Sequence, residues 1–144
     1  MESYEELKEL DKHKTRVFKY ITYKKRTEYE IRNKFKQDID ENMLEDIIEY
    51  FKEAGYINDK EYIERAVNEF KALKNLSIKE IKYKLYQKGI DRNILEDYIS
   101  EHCEELEEYE KKSANNIKIK KQNTMDEDEI KMYLIKKGYK GENI

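Results

Sequence analysis

Apolar residues recur along this chain at spacings of three and four, not two. Val17 and Ile21 stand four apart, as do Ile31 and Phe35, while Leu44, Ile47, Ile48 and Phe51 follow the 3, 4, 7 spacing. That spacing places them on one buried face of a helix. Leu95, Tyr98 and Ile99 repeat the theme further on. Proline, the commonest helix breaker, is absent from all 144 residues. The pattern predicts helices near 9–24, 28–37 and 41–54, then 59–74, 78–88 and 92–110, and finally 111–122 and 127–137.

The starts and stops of these helices carry their own signatures. Thr27-x-x-Glu30, Ser77-x-x-Glu80 and Asp126-x-x-Glu129 are capping boxes, and Asn58-x-x-Glu61 is a fourth instance. In each, the first side chain accepts a first-turn N–H while the Glu reaches back to the cap residue's own N–H. Asp40 and Asp91 are placed to cap the third helix of their groups. Gly55, Gly89 and Gly138 follow helical stretches and suit a left-handed C′ position.

These signals repeat. Ile39–Asp46 and Ile90–Asp97 agree at six of eight positions, 51 residues apart. Glu30, Ile31 and Phe35 match Glu80, Ile81 and Leu85, with a third echo in Glu129, Ile130 and Leu134. Val17, Tyr20, Lys24 and Thr27 match Val67, Phe70, Lys74 and Ser77. The expected fold is therefore all-α: three-helix repeats over 1–56 and 57–110, and a partial third over 111–144 lacking its last helix. Short trios cannot bury both faces alone, so the copies should stack into an elongated, curved body.

Composition narrows function more than fold. Charged residues make up 44% of the chain but the net charge is only −3, so bulk electrostatics give no push toward nucleic acid. Cys103 is the single cysteine and cannot form an internal disulfide. With no signal peptide and no long apolar run in view, the expected location is the cytoplasm and no membrane partner is implied. Net charge conceals a polarity, because Lys8–Lys36 holds eleven Lys or Arg against four acids, whereas Asp91–Glu110 holds nine acids against Arg92 alone. Charge runs of the second kind are usually solvated helix faces, and the acidic stretch is read that way.

The basic stretch is a better candidate. Lys24, Lys25 and Arg26 sit just before a capped helix, flanked by Arg16, Arg32 and Lys36 and interleaved with Tyr20, Tyr23 and Tyr29. Lys74, Lys79, Lys82 and Lys84 form the equivalent patch in the second copy. Basic groups beside aromatics suit phosphate contact and base stacking, although tyrosines at helical spacing more often pack into cores; Tyr20, matching Phe70, belongs to the second kind. His102 falls at the position of Phe51 and is expected to be a core histidine. No nucleophile–base set, phosphate-cradling glycine loop or metal-ligand spacing is present, so neither an enzyme nor a cofactor is expected.

Tyr20-Ile-Thr-Tyr-Lys-Lys-Arg-Thr27-x-x-Glu30-Ile31-Arg32 resembles the opening of the RecX family of recombination regulators. Gly55-Tyr56-Ile57-Asn58-Asp59-x-x-Tyr62 resembles that family's junction between its first and second units, and Gln87-Lys88-Gly89-Ile90 its lysine-glycine helix end. The resemblance spans about residues 14–141. It implies a non-enzymatic, monomeric modulator of the RecA recombinase that lies in the groove of the RecA–DNA filament and inhibits ATP hydrolysis and strand exchange. Single-stranded DNA within or beside the filament is a further implied partner. The chain departs from the pattern in lacking a final helix and in carrying Asn75-Leu76 where many members are basic with glycine. The competing expectations are a direct nucleic-acid-binding helical module and a repeat-type adaptor for protein interactions.

Overall fold

The computed structural model describes residues 3–144, which form helices and no strand. The helices are α1 (Tyr4–Tyr23), α2 (Glu28–Phe35), α3 (Glu41–Glu53), α4 (Asp59–Leu73), α5 (Ile78–Gln87), α6 (Arg92–Glu101), α7 (Cys103–Lys121) and α8 (Glu127–Lys137), followed by a 3₁₀ turn over Gly141–Asn143. The chain divides into two compact units. One holds the chain through Tyr62 together with Lys88–Ile90, and the other holds Ile63–Gln87 and Asp91–Ile144.

In the first unit α1, α2 and α3 enclose one core of Val17, Ile21, Ile31, Phe35, Leu44, Ile47, Ile48 and Phe51, closed by Ile39 and Ile57. These are the residues whose periodicity predicted the three helices. The second unit buries Ile63, Val67, Ile81, Leu85, Leu95 and Leu106. A smaller cluster of Ala114, Ile117, Ile130, Leu134 and Tyr139 joins α7 to α8.

Three of the four expected capping boxes form with both bonds, while at Asn58 only the Glu61 N–H to Asn58 Oδ1 bond, 3.0 Å, is present among the described residues. Thr27 Oγ1 accepts from Glu30 N at 3.1 Å while Thr27 N donates to the Glu30 carboxylate at 3.0 Å. Ser77 and Glu80 reproduce both bonds at 3.1 and 2.9 Å, and Asp126 and Glu129 at 2.9 and 3.3 Å. Asp40 and Asp91 each accept two N–H groups from the following turn. Each such cap is worth about 1 kcal/mol.

Two of the boxes also make long-range contacts. Thr27 Oγ1 donates to the carbonyl of Lys88 at 2.6 Å, and Ser77 Oγ donates to that of Lys137 at 3.1 Å. Both acceptors precede a glycine of positive φ, Gly89 at +82° and Gly138 at +110°. One residue past each cap, a carboxylate secures the first helical N–H: Asp59 receives Glu28 N at 3.0 Å, and Glu110 receives Ile78 N at 2.7 Å. Desolvation of the half-buried Asp59 raises its pKa above the usual aspartate value. Thus Thr27 is tied to the residue before Gly89, and Ser77 to the residue before Gly138, by the same bond.

Helix placement differs from expectation in one region. The helix expected over 92–110 ends at Glu101, and α7 runs unbroken through the expected boundary at 110–111. His102 makes the break, with φ −114° and ψ 23°, and its N–H donates to Tyr98 O at 3.1 Å. Its ring stacks on Tyr98 with centroids 4.0 Å apart, so it is a half-buried helix terminus rather than a core histidine. Turning there lets α7 bury Leu106, Tyr109, Glu110, Ser113, Ala114 and Ile117. The acidic stretch is therefore not all solvated, since Glu110 is fully buried.

The ion pairs make one pH dependence calculable in sign. Glu45, Glu96 and Glu107 are each held below the usual glutamate value of 4.5, chiefly by hydrogen bonds from Arg32, from Lys82 and Tyr86, and from Lys140 and Asn143 respectively. Lowered carboxylate pKa values stabilise the fold above the unfolded value, and the contribution disappears as pH falls through the folded one. Urea midpoints should therefore fall between pH 6 and pH 3, and charge-neutral Glu45→Gln should flatten part of that slope. The effect is small because these groups are solvent-screened.

Candidate partner-binding surface

The basic turn lies between α1 and α2. Lys24 is the extended residue that ends α1, and Lys25 and Arg26 lead into the Thr27 cap. Lys24 is exposed and has no ion-pair partner among the described residues. Lys25 reaches Glu61 only at 3.9 Å and keeps about half its side chain in solvent. Arg26 lies over the Tyr20 ring at 4.3 Å, with Lys34 Nζ at 5.9 Å from the same ring. Tyr20 in turn packs edge-on against Phe35 at 5.5 Å, which makes it a fixed platform under the guanidinium. Arg26 Nε is buried and unpaired among the described residues. Tyr23, beside this turn in sequence, is 86% exposed.

The flanking candidates divide into free and engaged cations. Lys36 is exposed at the end of α2. Arg16 bonds Asp38 at 3.3 Å and leans over Phe35. Arg32 is engaged most fully, forking onto Glu45 at 2.5 and 2.9 Å and reaching Glu28 at 3.3 Å. The Glu45 bond is the leading cause that raises the Arg32 pKa further above its ordinary value. Arg32 therefore belongs to the joint between α2 and α3, and its charge is already compensated there.

In the second unit Lys82 is likewise committed, to Glu96 at 2.8 Å. Lys74 takes a left-handed turn conformation, φ 49°, and its carbonyl accepts from Asn116. Lys79 and Lys84 remain exposed, and they line an open groove of about 380 Å³ with Tyr83, Gln87, Lys136 and Gly138. Tyr83 is 63% exposed. Lys136 was not singled out from sequence, although Lys136-Lys137-Gly138 matches Gln87-Lys88-Gly89 and could have placed it here. Lys137 turns inward to Glu80 at 2.8 Å.

Both clusters offer exposed lysine amines around an exposed tyrosine, a chemistry suited to binding anionic surfaces. Among the described residues no group of three or more His, Cys, Asp or Glu is arranged to hold a metal ion, and Cys103 is an exposed free thiol. No helix of the described residues is long and apolar enough to cross a membrane.

These features define an all-helical protein of recurring capped helices with two exposed basic, tyrosine-bearing faces. No family model matches the chain. Related proteins do: it is 31% identical over 132 residues to the regulatory protein RecX of Staphylococcus epidermidis, covering 89% of this chain and 49% of that protein. It is 33% identical over 128 residues to RecX of Clostridium beijerinckii, covering 84% and 58%. The crystal structure of RecX from Lactobacillus salivarius superposes with a TM-score of 0.79 at 27% identity, covering 95% of this chain and 92% of that one. The chain belongs to the RecX family. It spans about half the length of the staphylococcal relatives it matches.

Proposed function

We propose that this chain regulates a RecA-type recombinase by binding its DNA filament and inhibiting ATP hydrolysis and strand exchange. Family membership and the free cations of the Lys24–Arg26 turn support this reading. Lys24 has no ion-pair partner among the described residues, Lys25 keeps about half its side chain in solvent beside Glu61 at 3.9 Å, and Arg26 is stacked in place over Tyr20. Lys79, Lys84 and Lys136 extend the same chemistry in the second unit. Two three-helix copies, over 1–56 and 57–110, with a partial third over 111–144, would present the two basic faces in series along a partner that itself repeats. Action is stoichiometric and non-enzymatic, needs no cofactor, and is exerted by a monomer in the cytoplasm.

The test is RecA ATPase on single-stranded DNA, titrated with this protein and with the triple variant Lys24→Glu/Lys25→Glu/Arg26→Glu. Reversal of three charges should raise the half-inhibiting concentration by roughly tenfold or more while helicity is retained. Equal inhibition by parent and variant removes this surface from the interface. Exposed Tyr23 beside the basic turn favours a second reading, direct binding of single-stranded DNA. Salt-dependent affinity for naked single-stranded DNA, equal to that for the filament, selects it.

A further inference from the structure

The exposed apolar residues of α1 form a stripe outside the core of the first unit. Tyr4, Leu7 and Phe18 are 72, 47 and 37% exposed. With Asp11 and Lys14 they stand at alternating intervals of three and four, which keeps all five on one side of the helix. The residues that α1 gives to the core, Leu10, Val17 and Ile21, lie on the neighbouring face. At one end of the stripe Phe18 joins a cluster of rings, 5.1 Å from Tyr56 and 5.8 Å from Phe51. Tyr50 stands edge-on to Phe51 at 5.2 Å. Tyr50 and Tyr56 are each about half exposed, and buried Phe51 is the floor beneath them.

The two charged members of the stripe have no counter-ion in their own chain. The Asp11 carboxylate has no hydrogen-bond or ion-pair partner among the described residues. Lys14 turns away from it, its Nζ lying 3.9 Å from the Tyr50 ring centroid. The open flank of the stripe carries Lys8, Thr15 and Thr22 and no acid. Lys8 lies over its own Tyr4 ring.

We infer that α1 pairs antiparallel with α1 of a second copy of this chain, in a twofold-symmetric dimer. Self-complementarity selects the second copy. An antiparallel seam sets alternate stripe positions of the two helices opposite each other, and twofold symmetry makes every contact occur twice. The register that puts Asp11 opposite Lys14 of the second copy also puts Leu7 opposite its Phe18, because both pairs flank the same midpoint of the helix. One register thus satisfies the charged and the apolar pair together. Parallel pairing instead sets Asp11 on Asp11 and Lys14 on Lys14, like charges that oppose it. Residues 4–18 span only about 21 Å, so the seam is short and the dissociation constant is about 10–100 μM. The dimer forms on concentration, and dilution releases the monomer to which the regulatory action is assigned.

Sedimentation equilibrium of the intact chain, from about 10 μM to 1 mM, should show this monomer–dimer exchange. Asp11→Lys or Lys14→Asp alone opposes like charges at both crossings and should weaken association about tenfold. Asp11→Lys/Lys14→Asp together restores both pairs with signs exchanged, and should return the constant to within about threefold of the parent. Both positions lie outside the core, so circular dichroism should be unchanged in all three variants. A parent chain still monomeric at about 1 mM overturns the proposal. So does a dimer indifferent to the single reversals, or a double variant as weak as the singles. The RecA ATPase titration runs well below the dissociation constant, so either proposal can fail while the other stands.

Discussion

Glu110→Ala should destabilise the second compact unit by roughly 3–4 kcal/mol, lowering the thermal midpoint by about 10 °C. The carboxylate is wholly buried yet fully used. One oxygen accepts Ile78 N at 2.7 Å, and the other accepts Lys140 N at 2.9 Å and Asn143 Nδ2 at 3.0 Å. Ile78 N also lies at the positive end of α5, where an anion is favoured. Alanine strands the buried Ile78 N–H and Asn143 amide and the part-buried Lys140 N–H together, and a buried donor costs about 1–3 kcal/mol when unsatisfied. The shape-preserving Glu110→Gln isolates hydrogen bonding from packing. Whichever oxygen becomes an NH₂ then faces a donor, so the glutamine variant should still lose about half as much. A glutamine variant as stable as the parent would show that the site contributes only volume.

Gly89→Ala should cost about 3 kcal/mol, and Gly55→Ala about 1 kcal/mol, although both glycines have nearly the same backbone. Their φ values are +82° and +83°, so the left-handed penalty is shared. At Gly55 an added methyl meets open space. At Gly89 it lands on the Cβ, Cγ and Cδ1 of Tyr29, atoms too near the backbone to swing aside. The shift needed to relieve that overlap also pulls the Lys88 carbonyl from Thr27, a bond of 2.6 Å. Denaturant midpoints of the two variants measure the difference. Tyr29→Gly in the Gly89→Ala background should recover part of the loss, giving a favourable coupling energy in a double-mutant cycle. Additive effects would place the strain elsewhere.

The helices were readable where cap, period and glycine agreed, as in α2, where Thr27, Glu30, Ile31 and Phe35 all point to one answer. The break at His102 was not. Glu96 to Glu110 contains no proline or glycine, its cap-type residues Asp97 and Ser100 lie within α6, and His102 itself makes no side-chain cap for α7. Tertiary burial of Leu106 and Tyr109 decides that turn, and a local pattern cannot register it. α7 also hides from hydropathy because two of its six buried residues, Glu110 and Ser113, are polar. Ser113 is buried for a reason seen only in three dimensions, its hydroxyl lying 2.5 Å from the Tyr139 hydroxyl. Among the basic candidates the sequence located Lys24, Lys25, Lys79 and Lys84 as exposed groups. It could not separate them from Arg32 and Lys82, because their carboxylate partners Glu45 and Glu96 lie thirteen and fourteen positions away on another helix.

The choice of capping side chain in the three boxes follows from what lies above each one. Thr27 and Ser77 each accept a hydrogen bond from an N–H of their own first turn and donate one to a distant carbonyl. A hydroxyl can do both, whereas an ionised carboxylate only receives. Asp126 receives alone, and no carbonyl stands over it among the described residues. Serine or threonine at this position thus marks a cap that serves two partners at once, and aspartate one that serves its own helix alone.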